Sequence, residues 1–417
     1  MRPQDFIAGL DVGSSAIRMA VASRRIGEED SPHIVGVAEV PAEGINRGVV
    51  TSIDDAVSSI SACLERAERI VGAPIDRVWV GIAGSHITSQ ESRGVVAVAK
   101  PNGEISEEDV ERAIEAARAV ATPPNYEILH VIPKSFTVDG QRGIRDPIGM
   151  TGVRLEVDTQ IVQGLSAQIK NITKAIYRTQ LQIEDLVLSI LATAEAVLPS
   201  RSKQLGSVVI NIGRSTTALA VYEEGEILHT AVLPVGSEHI TSDIAIGLRI
   251  NIDAAEKIKL LYGTTQASDI SKREEVDLGE LVGSPEHHVP KKYIAEIIEA
   301  RVEEILDKVD LELKKIERSG MLPAGIVLTG GGAKLPGMVE TAKRKLRLPA
   351  SIGYPTVIPA TVDRANDVAF STAIGLVQWG LQVQQRAAGG GTNLLSTTVS
   401  GVTEGIKKLF SRFGVRR

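Results

Sequence analysis

The sequence predicts a two-lobed α/β fold built by duplication, carrying an inserted α+β subdomain and ending in an amphipathic helix. Three observations predict it. A strand–tight turn–strand unit near the N-terminus recurs 200 residues later. The pattern of strands and helices changes character between about residues 85 and 165. Residues 399–417 form a basic, periodically apolar segment behind a glycine-rich stretch.

The first unit reads as a strand over 6–12, a turn at Gly13-Ser14-Ser15 and a strand over 17–22. Helical periodicity over 54–71 follows, then a strand at 78–82. In the inserted stretch, strands are expected at 94–99, 128–132 and 153–162, around one helix near 107–121. Ser106 is a capping hydroxyl there, and Glu107, Glu108 and Asp109 lie on the positive end of the helix dipole. Helices at 167–179 and 192–198 lead to strands at 208–212, 217–222 and 227–233. A mainly helical region includes 253–262 and 291–319, separated by a polar loop with short elements over 264–290. A strand at 326–329 runs into Gly330-Gly331-Gly332, and helices at 336–345 and 368–383 end the body. Residues 384–398 read as a glycine-rich linker.

The repeat aligns Leu10–Ala22 with Ile210–Tyr222 without a gap, and Gly13/Gly213, Ser15/Ser215, Ala20/Ala220 and Val21/Val221 are identical. Two such hairpins suggest duplicated lobes facing each other across a cleft.

With 417 residues, 43% hydrophobic and 24% charged, the chain has room for several ordinary globular domains. Aromatics make up only 3%, so the core must rest on Val, Ile, Leu and Ala. The single cysteine, Cys63, excludes an internal disulfide and a cysteine-cluster metal site, and reads as a small core residue. No signal peptide and no spanning helix are evident, and a cytoplasmic protein is the simplest expectation. Of a formal net charge of −6, residues 399–417 carry Lys407, Lys408, Arg412, Arg416 and Arg417 against Glu404. An acidic body with a basic tip argues against nucleic-acid binding and for a tip that seeks an anionic surface.

Three motifs suit a phosphorylated ligand. In Asp11-Val12-Gly13-Ser14-Ser15, Gly13 admits close backbone approach and consecutive amides make an anion-binding concavity. Asp11 could hold magnesium through water. Asn211-Ile212-Gly213-Arg214-Ser215-Thr216 would close on the phosphates from the other lobe. Gly330-Gly331-Gly332 would lie flat on an adenine or approach phosphate; alone, it reads equally as a flexible turn. Their order and spacing are more specific than any one of them.

In that order the three motifs resemble the superfamily of actin, sugar kinases and Hsp70, that is, a duplicated actin-like (ribonuclease H-like) fold. Within it, the inserted stretch resembles the FtsA family of bacterial cell-division proteins. The residues that carry this likeness are Ile132-Pro-Lys-Ser-Phe-Thr-Val-Asp-Gly-Gln141 and Ile144-Arg-Asp-Pro-Ile-Gly-Met-Thr-Gly-Val-Arg-Leu155, above all Asp146-Pro-Ile-Gly-Met150. The resemblance implies subdomain 1A at 1–84 and 165–200, 1C at 85–164, 2A at 201–240 and 320–383, and 2B at 241–319. It implies bound ATP and Mg²⁺, with Gly236 ending a loop near the nucleotide and Glu256 and Lys259 touching the adenosine. A solvated helix face is the plain alternative for that pair. Glu195, Ala373 and Gly375 would mark two close-packed hinge helices. It further implies filaments, recruitment of the tubulin-like protein FtsZ by its C-terminal peptide through 2B, contact with other division proteins, and a place on the cytoplasmic face of the bacterial membrane at the septum.

Two positions depart from the superfamily pattern. Asn211 stands where an aspartate is usual, and Arg214 where a second glycine is; Arg214 could pair with phosphate or simply be exposed. ATP binding with slow or undetectable hydrolysis is expected. In the tail, Val402, Ile406, Leu409, Phe410 and Phe413 form one helical stripe, with Lys407, Lys408 and Arg412 off it. That is the pattern of a helix lying in a membrane interface. Rival readings are a sugar or acetate kinase, which Asn211 and the tail oppose, and a pilus-assembly or cell-shape protein of the same superfamily.

Overall fold

The computed structural model describes residues 6–23, 31–119, 123–283 and 287–389. The chain opens with strands β1 (Phe6–Val12), β2 (Ala16–Ser23) and β3 (His33–Pro41). A small hairpin, β4 (Ile45–Asn46) and β5 (Val49–Val50), precedes helix α1 (Ile53–Val71) and β6 (Arg77–Ile82). The ends of α1 follow from its sequence. Ser52 caps the first turn, accepting from the Asp55 amide, and Gly72 closes the last at φ +75°.

The inserted body contains β7 (Ile87–Ala97), α2 (Glu107–Arg118), β8 (Tyr126–Val138), β9 (Gln141–Ile144) and β10 (Arg154–Leu165). Its strands form a sheet of their own in the order β7-β10-β8-β9. Ile105, Val110, Phe136 and Leu155 belong to a core separate from those of the lobes. Ser106 caps α2 as expected, in a box with Asp109. Strand β7 starts seven residues before the expected strand at 94–99. Its first half is an edge strand whose Thr88, Ser89 and Glu91 face solvent, so no apolar alternation marks it. The inserted sheet also meets the second lobe: Gln160 Nε2 donates to the Thr230 carbonyl at 3.2 Å, and Arg145 pairs with Glu224.

The chain then returns through α3 (Ser166–Arg178), β11 (Gln182–Leu188) and α4 (Ser189–Val197), and crosses by α5 (Ser200–Leu205). The second lobe begins with β12 (Ser207–Ile212), β13 (Thr217–Glu223) and β14 (Glu226–Leu233). Helices α6 (Ser237–Leu248) and α7 (Ile252–Tyr262) follow, then the short elements β15 (Glu275–Asp277), α8 (Gly279–Val282) and β16 (His288–Pro290). Long helix α9 (Lys291–Lys315) ends four residues before the expected 319. Strand β17 (Gly325–Thr329), α10 (Met338–Leu346), β18 (Ala350–Ile352) and α11 (Ser371–Gly389) complete it.

The repeat in the sequence is a repeat in topology. One five-stranded sheet runs β3-β2-β1-β6-β11 and the other β14-β13-β12-β17-β18. In both, the first hairpin is antiparallel and the later strands join in parallel. The register repeats residue for residue: Asp11 faces Arg18 across the first hairpin, and Asn211 faces Ala218 across the second. Each sheet has its own apolar cluster, with Leu10, Ile60 and Val80 in one and Ile210, Ile298 and Leu328 in the other. Cys63 is fully buried in the first, and burial pushes its thiol up to about 12, so it is an inert core residue.

Helices α4 and α11 cross where the lobes join. A Cβ on Gly375 would stand 1.9 Å from the Ala192 carbonyl, so only glycine permits the crossing. Thr193 and Thr372 hydroxyls meet across it at 2.9 Å. Helix α11 runs to Gly389 rather than stopping at 383, which corrects the start of the linker expected at 384–398. Gln384, Gln385, Arg386, Ala387 and Ala388 are good helix formers, and the helix continues through them as far as the glycine run. The amphipathic segment at 399–417, with Val402, Ile406, Lys407, Lys408, Leu409, Phe410, Arg412 and Phe413, lies outside the described residues.

Candidate functional site

The two hairpin turns face one cleft of about 330 Å³ between the lobes. Asp11, Gly13, Ser14, Ser15, Asn211, Gly213, Arg214, Ser215, Thr216, Glu256, Lys259, Gly330, Gly331 and Gly332 all line it. Only Gly236 of the expected set does not. It packs behind the second turn, where a Cβ would stand 2.5 Å from the Arg214 carbonyl oxygen. From there the start of α6 is tied to the turn: the Ser237 amide donates to Gly213 at 2.9 Å and Glu238 to Arg214 at 2.8 Å.

In the first turn, Ser14 Oγ accepts from the Gly48 amide at 2.9 Å, which draws the β4–β5 hairpin over the cleft. Asp11 sits at the C-terminal end of β1, beside Gly81 of parallel β6. Ligands of open α/β sheets gather at such strand ends. Burial pushes the Asp11 carboxyl up to about 6, against the pull of Arg18 downward. Arg18 is itself held by Glu39 at 2.8 Å, and Asp11, half-buried at the cleft, is a fitting outer ligand for a hydrated magnesium ion. Its counterpart Asn211 is occupied differently. Its Nδ2 donates to Thr193 and Thr372 at 3.4 and 3.3 Å, fastening the second turn to the helix crossing. A neutral amide fits that place because it can donate to both hydroxyls.

The three glycines divide their work. Gly330 has φ +83°, and a Cβ there would lie 2.2 Å from Asn211 Oδ1. A Cβ on Gly332 would lie 2.5 Å from the Ile212 side chain. Both therefore pack on β12. Around Gly331 there is nothing within 4 Å, so its bare backbone faces the cleft. This is the cradle a flat base or a phosphate needs.

Lys259 is buried, not solvated. Its Nζ donates to Glu256 Oε2 at 2.7 Å, to Thr241 Oγ1 at 2.8 Å and to the Ser237 carbonyl at 3.3 Å. Burial raises the Glu256 carboxyl, but the hydrogen bonds from Lys259 and Thr241 outweigh it and hold the group below its ordinary range. Glu256 thus stays ionised, with Oε2 engaged, at the edge of the cleft. Arg214 also lines the cleft, half-exposed, with Nε 3.5 Å from Glu238.

The structure adds cleft residues that sequence reasoning missed. Lys334, Leu335 and Pro336 follow the glycine run after Ala333, and extending the motif would have found them. Leu260 follows Lys259. Ser189 and Thr372 carry no such signal, since each is an ordinary hydroxyl at the head of an apolar helix. The hydroxyls of Ser189 and Ser215 are buried and have no hydrogen-bond partner among the described residues. Buried polar groups are normally paired, so unpaired hydroxyls in a cleft suit a polar ligand. The cradle, the carboxyl and the free hydroxyls together fit a magnesium-bound nucleotide.

Residues 208–375 match the family model described as "Cell division protein FtsA", and residues 84–163 match "SHS2 domain inserted in FTSA". The chain is 35% identical to the cell division protein FtsA of Pseudomonas aeruginosa, over 91% of this chain and 90% of that protein. The chain belongs to the FtsA family of cell division proteins. The FtsA of Bacillus subtilis is 37% identical over 91% of this chain and 84% of its own length, and that of Escherichia coli K12 is 32% identical over 90% of each.

Among solved structures the chain resembles one titled "PilM-PilN type IV pilus biogenesis complex", with TM-score 0.66 and 17% identity over 90% of this chain and 98% of that one. It also resembles MreB5 of Spiroplasma citri bound to ADP, with TM-score 0.54 and 13% identity over 93% of this chain and 100% of that one. At those identities the likeness is one of fold, and it makes the duplicated architecture actin-like. The pilus-assembly and cell-shape readings therefore share the fold with this family member, whereas the sequence relatives are division proteins. No helix among the described residues is long and apolar enough to cross a membrane.

Proposed function

We propose that this FtsA-family chain binds ATP with Mg²⁺ in the cleft, polymerises, and tethers FtsZ to the cytoplasmic face of the cell membrane at the division septum. The observation that carries the nucleotide reading is the cleft: two duplicated turns, an open Gly331 and unpaired buried hydroxyls converge on one space. Asp11 would hold the hydrated ion. Gly13, Ser14, Ser15, Gly213, Arg214, Ser215 and Thr216 would bind phosphates. Glu256 and Lys259 would meet the ribose side, and Gly330, Gly331 and Gly332 the base. Bound magnesium would supply charge neutralisation for the phosphates. With Asn211 engaged by two threonines, no second carboxylate stands opposite Asp11, which supports slow or negligible hydrolysis.

The tether rests on the tail. Val402, Ile406, Leu409, Phe410 and Phe413 would enter the lipid interface, while Lys407, Lys408 and Arg412 would meet anionic headgroups. Burying each large apolar side chain contributes ~2 kcal/mol at most, and each basic residue about 1 kcal/mol. One tail then binds reversibly, and a filament of linked copies binds firmly. The C-terminal peptide of FtsZ is assigned to the helical part of the second lobe, 2B at 241–319, and other division proteins are further partners.

The test is co-sedimentation of FtsZ with anionic liposomes in the presence of ATP. The full chain should bring FtsZ to the lipid. A chain ending at Gly389, which leaves α11 whole, should not. Equal lipid recovery with both chains would refute the tether.

A further inference from the structure

The inserted subdomain leaves the first lobe between β6 and α3, yet it also touches the second lobe. Polar groups make that contact. On the lobe side stand His229 and Thr230 of β14, the outer strand of its sheet, with Glu312 and Lys315 of α9. On the inserted side stand Gln160 of β10, Lys134 of β8 and Glu91 of β7.

The hydrogen bonds fix the state of the imidazole ring. A carbonyl can only accept, so the Thr230 carbonyl, 3.2 Å from Gln160 Nε2, orients the amide with its NH₂ toward the second lobe. The same Nε2 lies 3.5 Å from His229 Nδ1, which is therefore the accepting nitrogen. His229 then carries its proton on Nε2 and donates to Glu312 Oε2 at 3.0 Å. The neutral ring suits both neighbours. A second proton would set Nδ1–H against the NH₂ of Gln160, donor against donor. To accept from the ring, Gln160 would have to turn its Oε1 inward, an atom that is buried and has no hydrogen-bond partner among the described residues. That turn breaks the bond to Thr230.

Charge acts in the same direction. Glu312 belongs to the same lobe as His229 and is shared with Lys315 at 2.7 Å, so a stronger pair there adds nothing across the contact. Lys134 is the cation that the inserted subdomain brings toward the ring, and its partner Glu91, 2.7 Å away, is exposed to water. Burial holds the ring below its ordinary range; Glu312 pulls it upward, and Lys134 and Lys315 push it down.

We propose that His229 is a proton-operated latch between the inserted subdomain and the second lobe, closed when the ring is neutral and released when it is charged. The latch ties the lobes at a second place, apart from the helix crossing at Gly375. Release frees the inserted subdomain from the second lobe only. Its Leu129, Ile132 and Val162 belong to the core of the first lobe and keep it attached there.

The test measures the distance between the two bodies by pulsed electron spin resonance. Spin labels are placed at Glu111→Cys in α2 and Ala300→Cys in α9, both exposed positions, while the buried Cys63 takes no label. Between about pH 8 and about pH 5, the doubly labelled chain should gain a population at longer distance. The ratio of closed to open should fall about 10- to 100-fold, the effect of two donors opposed in a buried contact. His229→Gln takes no proton and should show the same distances at both pH values. It retains Asp11, which also titrates in this range, so it isolates the ring. Gln160→Glu should reverse the response, because a carboxylate repels the Thr230 carbonyl at high pH and accepts from the charged ring at low pH. Distances that pH leaves unchanged in the labelled chain, or that shift equally in His229→Gln, overturn the latch. So does a Gln160→Glu chain that opens in acid.

Discussion

Replacing Asp11 by asparagine should stabilise the nucleotide-free protein at neutral pH while removing magnesium-dependent nucleotide binding. Burial raises the Asp11 carboxyl from an ordinary 3.8 to about 6. The folded chain therefore holds the proton more tightly than the unfolded chain. Its contribution is fully present below about 3.8 and is lost as pH rises through about 6. Above that, the ionised carboxylate costs a difference of about 2 pKa units, which is about 3 kcal/mol. Asparagine cannot ionise, so Asp11→Asn should match wild type near pH 4 and exceed it by up to about 3 kcal/mol at pH 7.5. The assay is thermal or urea unfolding of both proteins across that pH range, without nucleotide. Magnesium and ATP should then raise the wild-type midpoint and leave the variant unmoved, because a ligand stabilises only what binds it. A variant less stable than wild type at pH 7.5, or equally stabilised by magnesium and ATP, would refute the reasoning.

Other substitutions separate packing from ligand binding. Gly330→Ala places a side chain at φ +83° and against Asn211, and should cost about 2 kcal/mol in urea unfolding. Gly331→Ala meets nothing within 4 Å, so it should leave stability unchanged while lowering ATP affinity in a direct titration. Gly375→Ala drives a methyl into the Ala192 carbonyl at the helix crossing and should destabilise by about 3 kcal/mol, read by differential scanning calorimetry. Ser106→Ala removes the cap of α2 and should cost about 1 kcal/mol, seen as earlier hydrogen exchange in residues 107–118. Burial raises the Asp109 carboxyl, yet its bonds from Ser106, Ala99 and Arg112 hold it well below the usual range. Its contribution is thus present above about 3.8 and lost as pH falls further, so the Ser106→Ala deficit should shrink in strong acid.

The fold was legible where local chemistry and long-range symmetry agree. The turns at Gly13 and Gly213 sit in hairpins of the same register, so an ungapped offset in the sequence reports a duplicated sheet. Ser106 announced its helix because capping is a local event. The first half of β7 was hidden because an edge strand with a solvated face has no apolar period. Within the cleft, the glycine motifs and Asp11 stood out because few residue types suit those backbone positions. Ser189, Thr193 and Thr372 did not. They converge only when α4 and α11, far apart in the chain, cross at Gly375, and no local pattern encodes that meeting. Lys259 illustrates the same limit. Its spacing allowed a solvated face, and only the packing of α7 on α6 shows the ammonium buried among Glu256, Thr241 and Ser237.

The most direct measurement is equilibrium binding of labelled ATP, with magnesium, to the full chain and to the Asp11→Asn and Gly331→Ala variants. One ATP per chain is expected, with affinity lost in the first variant and reduced in the second. No saturable binding to the full chain, or binding that neither substitution weakens, would contradict the placement of the nucleotide between the duplicated turns.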